Sequence, residues 1–112
     1  MNNNWEDNIL DIIKDISDKE YQKEAWFGLN PDIIDSPEEM YSTLFDDYEF
    51  EDFIDTYNNL SNKQKNIALE LISLMNNIDN FNYKYLLDSK EWGKVRNTAK
   101  LFLETFKNEG MQ

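Results

Sequence analysis

The sequence predicts an all-α, single-domain bundle of five or six short helices. Three observations carry that expectation. Apolar residues recur at helical spacing along nearly all of the 112 residues, and no alternating Val/Ile/Thr-rich run marks a strand. Gly (three) and Pro (two) are rare, so little of the chain is forced out of helix. Two helix-start signatures, Ser36-Pro37-Glu38-Glu39 and Ser61 followed by Gln64, each precede an apolar stripe. The length suits one domain, and with 40% apolar and 14% aromatic residues the chain carries enough for a single core despite its charge.

The elements follow in order. Trp5, Ile9, Ile12, Ile13 and Ile16 fall on one face of a helix over about 4–18, with Glu6 and Asp7 in the first turn, where the helix dipole favours acids. Residues 19–36 are the least regular and read as a loop, broken by Gly28, Pro31 and Pro37 and packed by Trp26, Phe27 and Ile33 or Ile34. Ser36 caps a short helix with Pro37 at its first position and Glu39 closing a capping box; Met40, Tyr41, Leu44 and Phe45 form its inner face. Asp46 or Asp47, with Glu49 following, reads as the cap of a helix over about 48–59 that turns Phe50, Phe53, Ile54 and Tyr57 inward. Ser61 and Gln64 open a helix over about 62–77 with Ile67, Ala68, Leu71, Ile72, Met75 and Ile78 as its stripe. Residues 79–89 fit either a short helix or an extended connector. The last helix, over about 89–108, faces Trp92, Val95, Ala99, Phe102 and Phe106 inward and ends before Gly110. Trp5, Trp26 and Trp92 are expected in the core, although Trp26-Phe27-Gly28 also fits an exposed hydrophobic clamp.

Composition narrows function. The chain has no Cys and no His, which removes disulfides, thiolate metal sites, Ser-His-Asp catalysis and the commonest general base. No activated nucleophile is visible, so an enzyme is not expected and no cofactor is implied. "DDYEFEDFID" spaces its carboxylates somewhat like a calcium loop but lacks the glycine and places aromatics between the acids. The N-terminal region is acidic where a secretory signal is basic, and no apolar run approaches a membrane span, so a cytoplasmic protein is expected. The excess of Asn (15) over Ala (three), and of Lys (ten) over Arg (one), suggests an AT-rich bacterial or phage genome.

Charge is the strongest lead. Net charge is −12; residues 1–57 hold 17 acids and three bases (net −14), and residues 58–112 hold six acids and eight bases (net +2). No Lys or Arg falls between Lys23 and Lys63. Such polarity speaks to partner choice and disfavours nucleic acid and anionic membrane at the acidic half. The segment 36–57 alone has eight acids and no base, interleaved with aromatics. Capping and first-turn positions account for about half of these acids, each gaining roughly 0.3–1 kcal/mol there. Glu51, Asp52 and Asp55 are left over, as like charges at i, i+3 and i, i+4 that oppose one another. Asp47, Tyr48, Glu51, Asp52, Asp55 and Tyr57 therefore form the candidate partner-binding set: carboxylates for Arg and Lys, with Tyr as rigid contact area.

Trp26-x-Gly28, Pro31, Ser36-Pro37-Glu38-Glu39, Phe45-Asp46-Asp47 and Phe50-x-x-Phe53-Ile54 resemble small immunity proteins of bacterial contact-dependent inhibition and other polymorphic toxin systems. The resemblance covers residues 26–60 and, more loosely, 85–106, and its motifs are mostly caps and core positions. It implies a cytoplasmic protein that binds and neutralises one cognate toxin, many such toxins being basic nucleases whose substrate site an acidic inhibitor can fill. Two other readings use the same residues. A phage-type nucleic-acid mimic would direct its acids at a restriction or CRISPR effector, with carboxylates spaced like phosphates along an extended face. A helical adaptor would use Lys90, Lys94, Arg96 and Lys100 of the last helix, a basic patch that could also face the acidic half within the fold or in a head-to-tail dimer. The oligomeric state is left open.

Overall fold

In the computed structural model, which describes residues 3–109, helix is the only regular secondary structure, and no strand occurs among the described residues. The isoleucine stripe forms α1 (Asn3–Ser17) as expected, with Ile9, Ile12, Ile13 and Ile16 buried and Trp5 half-buried at its start.

The region expected as loop from residue 19 instead opens with a second helix, α2 (Lys19–Trp26). Asp18 caps it, its side chain accepting from the Tyr21 N–H at 3.0 Å. The helix buries Gln22, Ala25 and Trp26, an i, i+3, i+4 stripe whose first member is polar. Its end is set by Gly28 at φ +69, which lets the Leu29 N–H reach back to the Glu24 carbonyl at 2.9 Å. Irregular chain then runs to Ser36. Ile33 packs at the edge of the core, whereas Ile34 is 94% exposed.

Ser36 caps α3 (Pro37–Ser42), accepting from the Glu39 N–H at 3.1 Å, with Pro37 at the first position. Only half of the expected capping box forms, because the Ser36 N–H donates to Asp35 Oδ1 at 2.8 Å. α3 continues into a π-helical turn, Thr43–Asp47, closed by the Tyr48 N–H on the Thr43 carbonyl at 2.9 Å. Asp46 and Asp47 lie inside that turn, so neither caps the next helix as the Asp-x-x-Glu spacing suggested. The residue flanking α4 (Phe50–Thr56) is Glu49, in the left-handed region at φ 50 and making no side-chain cap bond. The corner holds because Phe45 and Phe50, on either side of it, pack edge to face at 6.2 Å. α4 is accordingly shorter than the expected 48–59, and it buries Phe50, Phe53 and Ile54.

The Ser61–Gln64 capping box is complete and opens α5 (Asn62–Asn76). The open segment contains a single turn, α6 (Tyr83–Leu86), capped by Asn82. α7 (Lys90–Glu109) follows, its start marked by the Trp92 N–H on Ser89 Oγ at 3.1 Å. Trp92, Val95, Ala99 and Phe102 are buried and Phe106 is half-buried; Gly110, expected just past the end, lies outside the described residues.

α7 is the spine, packed extensively on α1 and on α5. Among the described residues, five helices of seven residues or more, with α3 and its π turn as a sixth, thus build the expected all-α bundle around one core. Its large side chains contribute roughly 1.5–3 kcal/mol each on burial. The Cα radius of gyration is 13.9 Å, near the ~13 Å of a compact chain this long. Aromatic contacts thread the core: Trp26 to Trp92 at 5.6 Å, Phe50 to Phe102 at 5.9 Å and Trp5 to Phe53 at 5.2 Å.

Candidate protein-binding face

The six residues singled out in the sequence separate into two groups. Asp47, Glu51, Asp52 and Asp55 are exposed, whereas Tyr48 and Tyr57 are half-buried against the core. The Tyr57 ring stacks on Phe53 at 4.6 Å and its hydroxyl donates to Glu6 on α1. That hydrogen bond, more than burial, raises the Tyr57 pKa above its ordinary value. Tyr48 accepts the Trp5 indole N–H on its carbonyl at 2.7 Å. Both tyrosines therefore join α4 to α1 and border the acidic face rather than projecting from it.

Helix geometry divides the acids further. With Phe50, Phe53 and Ile54 pointing inward, Glu51 falls on the flank next to Ile54, while Asp52 and Asp55 lie on the outward side, Asp55 towards Glu51 and Asp52 towards Phe53. Glu51 and Asp55 line an open groove of about 240 Å³ between α4 and α5, completed by Ile54, Leu69 and Ile72. Leu69 is 54% exposed there. Glu51 and Asp52 sit in the first turn of α4, where the dipole favours them; Asp55 is the next-to-last residue, where the dipole opposes it. Among the described residues one ion pair lies within 4.0 Å, Lys19 Nζ to Asp88 Oδ1 at 2.9 Å, and it involves none of these acids.

The basic patch read on the last helix also divides. Lys90, Lys94 and Lys100 are exposed, but Arg96 turns inward, donating to the Leu87 carbonyl at 2.9 Å and to Gln22 Oε1 at 3.3 Å. Burial lowers its pKa, partly offset by Asp88. Arg96 is thus tied into the fold rather than presented to a partner.

Two polar clusters escaped the sequence reading. Gln22, fully buried, donates from Nε2 to the carbonyls of Asp15 (2.9 Å) and Ile16 (2.6 Å) and accepts Trp92 Nε1 (3.0 Å) and Arg96 on Oε1. The only sequence signal was its place on the Gln22–Ala25–Trp26 stripe. Nearby, the Tyr21 hydroxyl donates to Asp35 Oδ2 at 2.8 Å, and Asp15 lies within the field of Asp35, Asp11 and Asp18. Burial first, then these like charges, pushes Asp15 up to about 6. Burial and the bond to Asp35 likewise push Tyr21 upward. No three acids among the described residues converge as a metal site would require.

No protein-family model, curated protein or solved structure matches the chain.

Proposed function

We propose that this protein binds and neutralises a basic protein, as the immunity partner of a bacterial toxin, and that the acidic face of α4 is where they meet. The observation that carries the reading is the face itself. Asp47, Glu51, Asp52 and Asp55 are exposed with no Lys or Arg of the described residues in ion-pair range, beside a half-exposed leucine. Like charges held this close oppose each other within the fold by a few tenths of a kcal/mol per pair, and a partner's Arg or Lys relieves that opposition while gaining charge-assisted hydrogen bonds.

The mechanism is steering followed by occlusion. The net charge of −12, concentrated in the N-terminal half, raises the encounter rate with a basic surface. A nuclease toxin offers such a surface where it holds phosphates, and carboxylates placed there exclude the nucleic acid. The chain itself acts as a binding protein, not an enzyme, in the cytoplasm where the toxin would act. α4 is seven residues long, about 10 Å, which suits a compact patch better than the extended carboxylate ladder of a nucleic-acid mimic.

The test is co-purification with the product of the gene immediately upstream, expected to end in a toxin domain, and rescue of that domain's toxicity. Asp52→Lys/Asp55→Lys should lose rescue while keeping the wild-type helical circular dichroism spectrum. Undiminished rescue by that variant would remove α4 from the interface.

A further inference from the structure

The groove between α4 and α5 has an apolar floor and an acidic rim. Ile54 and Ile72 are buried beneath it, and Leu69 stands half-exposed at its edge. Leu69 lies outside the α5 face formed by Ala68, Leu71, Ile72 and Met75, which already seals the core. Its isobutyl group is therefore available to something outside the fold. The groove between α4 and α5 is open to solvent on one side. At about 240 Å³ it falls below the roughly 300–1,000 Å³ of small-molecule sites, and it suits an inserted side chain.

Glu51 and Asp55 lie one helical turn apart on the rim, a spacing of roughly 6 Å that matches cations one turn apart on a docked helix. Their charge rejects a phosphate backbone and an anionic lipid surface. It also rejects a second copy's acidic half. The complement of an apolar floor with an acidic rim is an apolar side chain flanked by Lys or Arg.

We infer that this groove seats a basic amphipathic helix of the protein partner, with an apolar side chain against Leu69, Ile54 and Ile72 and flanking Lys or Arg paired to Glu51 and Asp55. The inference rests on the reading of α4 as the partner-binding face and adds its anchor. Leu69 supplies desolvated contact at the centre, and the two acids set orientation.

Two fluorescein-labelled peptides of identical Leu/Lys composition test it, one with leucines at helical i, i+3, i+4, i+7 spacing and one scrambled to abolish the stripe. Each is titrated by anisotropy into the wild-type chain, Leu69→Ser, the milder Leu69→Ala, and Glu51→Gln/Asp55→Gln, all checked by circular dichroism. The striped peptide should bind the wild type about tenfold more tightly than the scrambled one. Leu69→Ser should remove most of that preference, Leu69→Ala about half of it, and both should leave the scrambled peptide unaffected. Glu51→Gln/Asp55→Gln should weaken both peptides. If the leucine variants bind both peptides as the wild type does while the glutamine variant weakens both, the groove is overturned and the acidic face stands. If no variant changes binding of either peptide, the groove and the α4 reading fall together.

Discussion

Gln22 is the side chain on which α1, α2 and α7 converge. It answers two carbonyls at the end of α1, the Trp92 indole N–H and Arg96. Gln22→Leu keeps most of the volume but removes the Gln22 partner of the Ile16 carbonyl and of the Trp92 indole N–H, whereas the Asp15 carbonyl keeps the Asp18 N–H and Arg96 keeps the Leu87 carbonyl. A stranded buried group costs about 1–3 kcal/mol, and we expect a loss of about 3 kcal/mol, read as a lower urea midpoint at unchanged slope. Asp15 acts in the opposite sense. Its folded-state pKa of about 6 lies above its ordinary 3.8, so the folded protein holds the extra proton. The stability this group contributes is fully present below about pH 4 and is lost as pH rises through about 6. Asp15→Asn should therefore stabilise the protein at pH 7.5 by roughly 1 kcal/mol, after discounting for solvent screening of a half-exposed group. The gain should shrink towards zero near pH 4, measured by urea melts across that range. Glu49, at φ 50 without a capping bond, holds a backbone that glycine adopts freely. Glu49→Gly should raise stability by about 0.5–1 kcal/mol in the same assay.

At the level of elements, legibility tracked how local the physics was. Ser61 and Gln64 satisfy each other three residues apart, so their capping box could be read directly. Ser61→Ala should cost about 1 kcal/mol in thermal or urea unfolding. The stripes of α1, α5 and α7 were legible for the same reason, each repeating one apolar face over several turns. α2 was not, because the buried position that begins its stripe is a glutamine whose partners lie up to 74 residues away. The Asp46–Glu49 spacing imitated a cap, but the cap that formed depends on the π turn and on Phe45 meeting Phe50, and neither leaves a local mark. On the candidate face, the exposure of Glu51, Asp52 and Asp55 followed from helical phase, since Phe50, Phe53 and Ile54 fix which side is inward. Tyr48 and Tyr57 were harder, because what engages them, Trp5 and Glu6, belongs to α1. Leu69 carries no signal in the sequence, because a single apolar residue off the core stripe is common on protein surfaces. Only the groove beside Asp55 gives it meaning.

Over the whole molecule, charge and core occupy different places. The core runs through every helix, while most acids of the N-terminal half stay on the surface, and the one ion pair among the described residues engages Lys19 with Asp88 of the C-terminal half, so it offsets none of them. No helix among the described residues is long and apolar enough to cross a membrane. A field of this kind acts over about 10 Å at 0.1 M salt and is screened beyond, so its signature is a salt-dependent association rate. The decisive measurement is stopped-flow association with the leucine-striped basic peptide, for the wild type and Asp52→Lys/Asp55→Lys, at low and high salt. The wild-type rate should fall about tenfold or more between them, and the variant should associate slowly at both. Equal rates for the two proteins at low salt would remove the acidic face of α4 from the interface.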